Sequence, residues 1–152
     1  MIQRIQSLFL LLSAIATGLM TFNPLLNIEA TNGESGILFA NAVKSVGAGE
    51  VILPCSPLLI LICLITLISL FTIFIYKKRM LQLRLTVYNM ILMVGLVGLG
   101  YYFARQGANE LAGSLKLAKF TIMPLIAFIF SLLAWRGVRR DYLMLRAVER
   151  IR

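Results

Sequence analysis

Apolar positions in this chain gather into four long runs, with polar and basic residues confined to the stretches between them. The first run, Ile5 to Phe22, has no charged residue over 18 positions, which as a helix rising about 1.5 Å per residue spans roughly 27 Å. The second, Val51 to Tyr76, is also uncharged, and its core PLLILICLITLISLFTIFIY is almost entirely Leu, Ile and Phe. The third, Leu85 to Phe103, holds Asn89 as its one strongly polar residue, and the fourth, Phe120 to Trp135, extends back past Lys119 to Leu115. A bilayer core of about 30 Å takes about 20 apolar helical residues to cross. The pattern therefore predicts an all-α membrane protein, a four-transmembrane-helix up-down bundle with spans at 5–22, 57–76, 85–103 and 117–135.

The connections divide into an outer loop (23–56), a basic turn (77–84) and a tail (136–152). In the loop, NPLLNIEATNGESG reads as turns around Pro24, Asn32, Gly33 and Gly36. ILFANAVKSVGAGEVIL reads either as two short strands about Gly47-Ala48-Gly49 or as an interfacial helix from Ile37 to Val46, and the glycines favour the hairpin. Ser56-Pro57 has the form of an N-cap followed by a first-turn proline. Pro124, inside the fourth run, predicts a kink. The tail is helix-compatible throughout, a cytoplasmic amphipathic helix that either extends the fourth span or lies along the headgroups.

Composition reinforces this picture. Of 152 residues 60% are hydrophobic and 14% charged, more apolar side chain than a soluble domain of this size can hide. The net charge of +9 would suit a nucleic acid, but its carriers flank the apolar runs, where they meet anionic lipid headgroups instead. Nucleic-acid binding is accordingly not expected. Eleven Lys and Arg fall on one side of a four-span arrangement and four on the other, so the positive-inside rule puts both termini in the cytoplasm. Ala14-Ile15-Ala16 has the form of a signal-peptidase site. The apolar run continues beyond it, which favours a retained helix.

Candidate chemistry is sparse. The chain has no histidine, and none of its six carboxylates lies inside an apolar run, so general-base, metal and proton-relay chemistry lack their usual residues. No cofactor, metal site or enzymatic activity is expected. Cys55 and Cys63 are eight residues apart, about 12 Å along a helix and too far for a disulfide. The basic residues Lys77, Lys78, Arg79, Arg84, Arg139, Arg140, Arg146 and Arg150 are candidates for contact with lipid or a partner. Gly95, Gly98 and Asn89 are candidates for helix packing inside the third span. Glu110 is within reach of Arg105 or Lys116 on the outer side, but mixed charges in a loop read first as solvated surface.

The opening MIQRIQSLFLLL, the turn YKKRMLQLRLTVYNMIL and the ending with Arg140-Asp141 and Glu149-Arg150-Ile151-Arg152 together resemble a family of small membrane proteins, domain of unknown function 4293, found mainly in Bacteroidota. The likeness covers the whole chain and is carried by Gln3, Arg4 and Gln6 at the start and by Tyr76, Lys77, Arg79, Leu81, Gln82 and Asn89 around the turn. Tyr142 and Leu143 depart from the more charged tail of the pattern. The resemblance implies four membrane helices and an inner-membrane location, and no activity. The expected role is a non-enzymatic accessory or scaffold subunit with a membrane-protein partner or a second copy of itself; the alternative is a small transporter or channel-like oligomer.

Overall fold

Apolar runs fold as helices here, but the segments joining them at one end fold as strands. The computed structural model describes residues 2–30, 35–46, 49–75 and 78–149. Its helices are α1 (Ile2–Leu19), α2 (Ser56–Phe74), α3 (Arg79–Glu110) and α4 (Met123–Glu149). Its strands are β1 (Leu26–Ala30), β2 (Ser35–Leu38), β3 (Ala42–Ser45), β4 (Val51–Pro54) and β5 (Gly113–Leu117). The strands make one antiparallel sheet in the order β4-β3-β2-β1-β5. This overturns the all-α assignment: the fold is mixed α/β, four helices with a five-stranded sheet.

The helices close into a ring in which α1 packs on α2 and α4, and α3 packs on the same two neighbours. Three helical stretches are long and apolar enough to cross a membrane: Ser56–Phe74, Arg79–Glu110 and Lys119–Met144, the last including a 3-10 turn at Lys119–Ile122. The first apolar helix, Ile5–Leu19, is shorter than the expected span, because the chain turns at Met20–Phe22 towards β1. α3 outruns its expected span at both ends. The tail continues α4 without a break to Glu149. Pro124 is the second residue of α4, just after the 3-10 turn, so the proline stands at the start of the α-helix rather than inside it. α2 starts one residue earlier than the sequence suggested, with Cys55 at the N-cap position.

The hairpin reading of the outer loop holds for β3 and β4. Gly49 supplies a left-handed turn residue (φ 65°) between them, and its N–H donates to the Ser45 carbonyl at 3.1 Å. β1 lies in a segment read as a turn region, and β5 lies just before the fourth span, overlapping it only at Leu117. One sheet face, bearing Ile28, Leu38 and Val43, packs on the end of α3 at Ala104 and Ala108. Gly107 makes that approach possible: a Cβ there would stand 3.1 Å from both Ile28 Cδ1 and a Val43 methyl. Cys55 is fully buried at the sheet–helix junction and Cys63 is exposed on α2; both are free thiols. Burial pushes the Cys55 thiol's pKa up, and the backbone at Val43 partly offsets this.

Candidate functional site

At the end opposite the sheet, three sequence motifs meet. Gln6 of α1 and Asp141 of α4 are both buried, and the Gln6 amide Nε2 donates to Asp141 Oδ2 at 2.8 Å. Arg79, the first residue of α3, brings Nη1 to 4.0 Å from the same carboxylate oxygen. A buried carboxylate is stable only when its charge and lone pairs are met; here an amide from one helix and a guanidinium from another meet it. Gly137, one turn before Asp141, leaves the room this takes, since a Cβ there would lie 2.8 Å from Gln6 Cγ. Gln82, one turn into α3, is also buried.

Further polar side chains line the inside of the ring. Ser13 hydrogen-bonds Ser131 at 2.9 Å and the Ala127 carbonyl at 3.1 Å, tying α1 to α4 through small residues that let the backbones approach. Thr66 donates to Thr17 at 3.0 Å, tying α2 to α1. Asn89 donates from Nδ2 to Ser69 Oγ at 2.6 Å, tying α3 to α2. Its Oδ1, buried in the same place, has no hydrogen-bond partner among the described residues. The outward positions are the reverse: Leu8, Leu11 and Ile15 on α1, Ile60, Leu67 and Phe71 on α2, and Ile91 and Val94 on α3 are all exposed.

The basic residues singled out from the sequence separate into two groups. Lys78, Arg84, Arg139 and Arg140 are exposed, and Arg139 stacks its guanidinium over the Trp135 ring at 5.1 Å. Arg79 instead turns inward to Asp141, so its first partner is the end of α4. Lys77, Arg150 and the Arg146 side chain lie outside the described residues. Gly95 and Gly98 face outward, and a Cβ at either would meet nothing within 4 Å; packing inside the chain does not use them. Glu110 is exposed, as the solvated reading has it, and Lys116 bonds Glu29 of β1 at 2.6 Å instead. Among the described residues no group of three or more His, Cys, Asp or Glu is placed to hold a metal.

Sequence reasoning missed the burial of Asp141 by treating the tail as a solvated surface. A signal was present: Asp141 falls three and seven residues after Val138 and Ala134, and ten after Ser131, all buried. A carboxylate that keeps the phase of a helix's inner stripe faces the interior.

These features define a class: a small α/β chain whose helix ring is apolar outside and carries buried polar ties within an apolar interior, closed by a sheet at one end and by a buried carboxylate at the other. The sequence profile of domain of unknown function 4293 matches residues 2–151, and the chain belongs to that family. No curated protein and no solved structure matches it.

Proposed function

We propose that the chain is an integral protein of the bacterial inner membrane without enzymatic activity, an accessory or scaffold subunit with its basic end in the cytoplasm and its sheet on the outer side. One observation carries the membrane reading: the helices expose Leu, Ile, Val and Phe along their outer flanks, while their Ser, Thr, Asn and Asp are buried between them among Leu, Ile and Met. In water that arrangement would expose an apolar belt far larger than monomeric proteins tolerate; in lipid it is the stable one, because the polar groups find partners inside. Exposed Tyr101 and Tyr102 towards one end of the ring, and half-buried Trp135 under the exposed Arg139 towards the other, suit interfacial belts. The excess of Lys and Arg at the Arg79–Asp141 end supports the orientation.

The scaffold part of the reading is supported by Lys78, Arg84, Arg139 and Arg140, which are exposed around that end and available to anionic headgroups or an acidic partner. The unpartnered Asn89 Oδ1 at depth favours a second reading, a small transporter with a polar path between helices.

Fusion of alkaline phosphatase after Arg152 tests the orientation: an inactive fusion is expected, and an active one overturns it. Affinity purification from native membranes tests the role. A reproducible stoichiometric companion is expected; a protein recovered alone that also carries solute into reconstituted vesicles would establish the transporter instead.

A further inference from the structure

The helices and the sheet leave between them an apolar cleft of about 180 Å³. Its floor is Met20, Leu58 and Leu96, all buried, and its rim is Val97, Tyr101 and Leu117, each more than half exposed. The cleft thus opens sideways through the outer flank of α3, where the membrane reading puts hydrocarbon. Thr121, a polar side chain in its wall, is already occupied, donating to the Leu25 carbonyl and accepting from the Ala118 N–H. An apolar cavity of about 150 Å³ is large enough to stay dry and take up benzene. This one accommodates a short stretch of hydrocarbon chain.

Charge stands at the mouth. Arg105, one turn beyond Tyr101 on α3, is exposed and donates from Nη1 to the Tyr101 hydroxyl at 3.2 Å. Among the described residues no carboxylate lies within 4.0 Å of this guanidinium. A dry slot that opens towards the membrane, with a cation fixed at its lip, matches an amphiphile with a hydrocarbon chain and a phosphate. We propose that the cleft holds part of one acyl chain of an outer-leaflet phospholipid, with the lipid phosphate on Arg105. The proposal rests on the membrane reading above, and goes beyond it in assigning a specific lipid site.

The full chain in maltoside micelles, which contain no phosphate, is titrated with a phosphatidylglycerol carrying a diazirine midway along one acyl chain, then irradiated and mapped by peptide mass spectrometry. Saturable attachment of one lipid at Leu96–Tyr101 and Leu117–Pro124 is expected. Gly100 lines the cleft, and a Cβ there would be in ordinary contact with Leu58, so Gly100→Phe fills the slot and lowers labelling about tenfold, the effect of excluding about two methylenes. Val97→Trp, on the exposed rim, blocks the mouth without touching the floor and gives the same result should Gly100→Phe fail to fold. Arg105→Gln lowers phospholipid labelling about threefold, as befits an exposed ionic contact, and leaves labelling by a diazirine fatty alcohol unchanged.

Labelling spread evenly over the helices, or unaffected by the folded blocking variants, overturns the cleft assignment. Equal loss of alcohol and phospholipid in Arg105→Gln overturns the phosphate assignment. Alkaline carbonate extraction of native membranes separates the two levels: release of the chain overturns the membrane reading together with this proposal, whereas retention alongside failed labelling overturns this proposal alone.

Discussion

The two ends of the helix ring are closed by opposite chemistry. At the sheet end, Ile28, Leu38 and Val43 press on Ala104, Gly107 and Ala108, a seam of methyl groups whose stability scales with area and fit. At the basic end, Gln6 and Arg79 converge on Asp141, where stability depends on no partner being left alone. The sheet seam is damaged by removing volume. The polar cluster is damaged by removing one member of a set, and a change that preserves hydrogen bonding should be forgiven there as no change of volume is at the seam.

The largest effect is expected from Ile28→Ala. Ile28 is fully buried and reaches both Gly36 and Gly107, so truncation leaves a cavity between sheet and α3 and costs about 3 kcal/mol. Denaturant titration in mixed micelles measures it. A cost below about 1 kcal/mol would mean the sheet is only loosely seated on α3.

Next comes Asp141→Leu, which strands the Gln6 amide and the Arg79 guanidinium. Removing one partner of a fully buried pair costs about 3–5 kcal/mol. Here the Arg79 side chain is 25% exposed and its contact is 4.0 Å, so about 2–3 kcal/mol is expected. Asp141→Asn keeps an acceptor for Gln6 and should cost about 1 kcal/mol. Equal losses for the two variants, by the same titration, would show that volume decides at this end as well.

How far each end could be read from the sequence follows from the range of its contacts. The helices were legible because an apolar run carries its own length signal. The β3–β4 hairpin was legible because Gly47 and Gly49 mark a local turn. β5 was not: GSLKL alternates Leu115 and Leu117 with Ser114 and Lys116, but its end, Leu115–Leu117, adjoins the fourth apolar run and reads as an extension of it. Its pairing, Ile28 with Leu115, joins segments far apart in sequence, for which no local pattern exists. The first span was overestimated for a related reason, since Met20–Phe22 is uncharged but lies in the turn that feeds β1.

At the polar cluster, Gln6, Arg79 and Asp141 were each visible as members of a motif, while their meeting was not. A membrane frame should have suggested it, because polar residues in phase with a helix's small residues face the interior when the exterior is lipid. Treating Arg79 with its exposed neighbours Lys78 and Arg84 hid the inward turn.

A finer test of the same comparison uses Gly137. Replacing a helical glycine with alanine gains about 1 kcal/mol of helix propensity, but the new Cβ would stand 2.8 Å from Gln6 Cγ. Gln6 must then move and weaken its bond to Asp141, a loss of similar size. Gly137→Ala alone should therefore be near neutral, and in a Gln6→Ala background it should stabilise by about 1 kcal/mol. A double-mutant cycle gives the coupling directly. Additive behaviour would mean that α1 and α4 are farther apart at this layer than the Gln6–Asp141 bond requires.

The smallest effect belongs to the ion pair on the sheet's solvent face. Lys116 and Glu29 meet at 2.6 Å, a good distance, yet their side chains are 58% and 51% exposed. Water and salt screen such a pair, and ordering two flexible side chains offsets much of the attraction. Lys116→Ala, Glu29→Ala and the double variant should each lie within about 0.5 kcal/mol of the parent, with a coupling that fades as salt rises. A coupling above about 1.5 kcal/mol that survives high salt would place the pair in a setting more like Asp141's, covered by lipid headgroups or another protein. The outer face of the sheet would then be an interface, and the contrast between a charge-dependent basic end and a charge-indifferent sheet end would have to be redrawn.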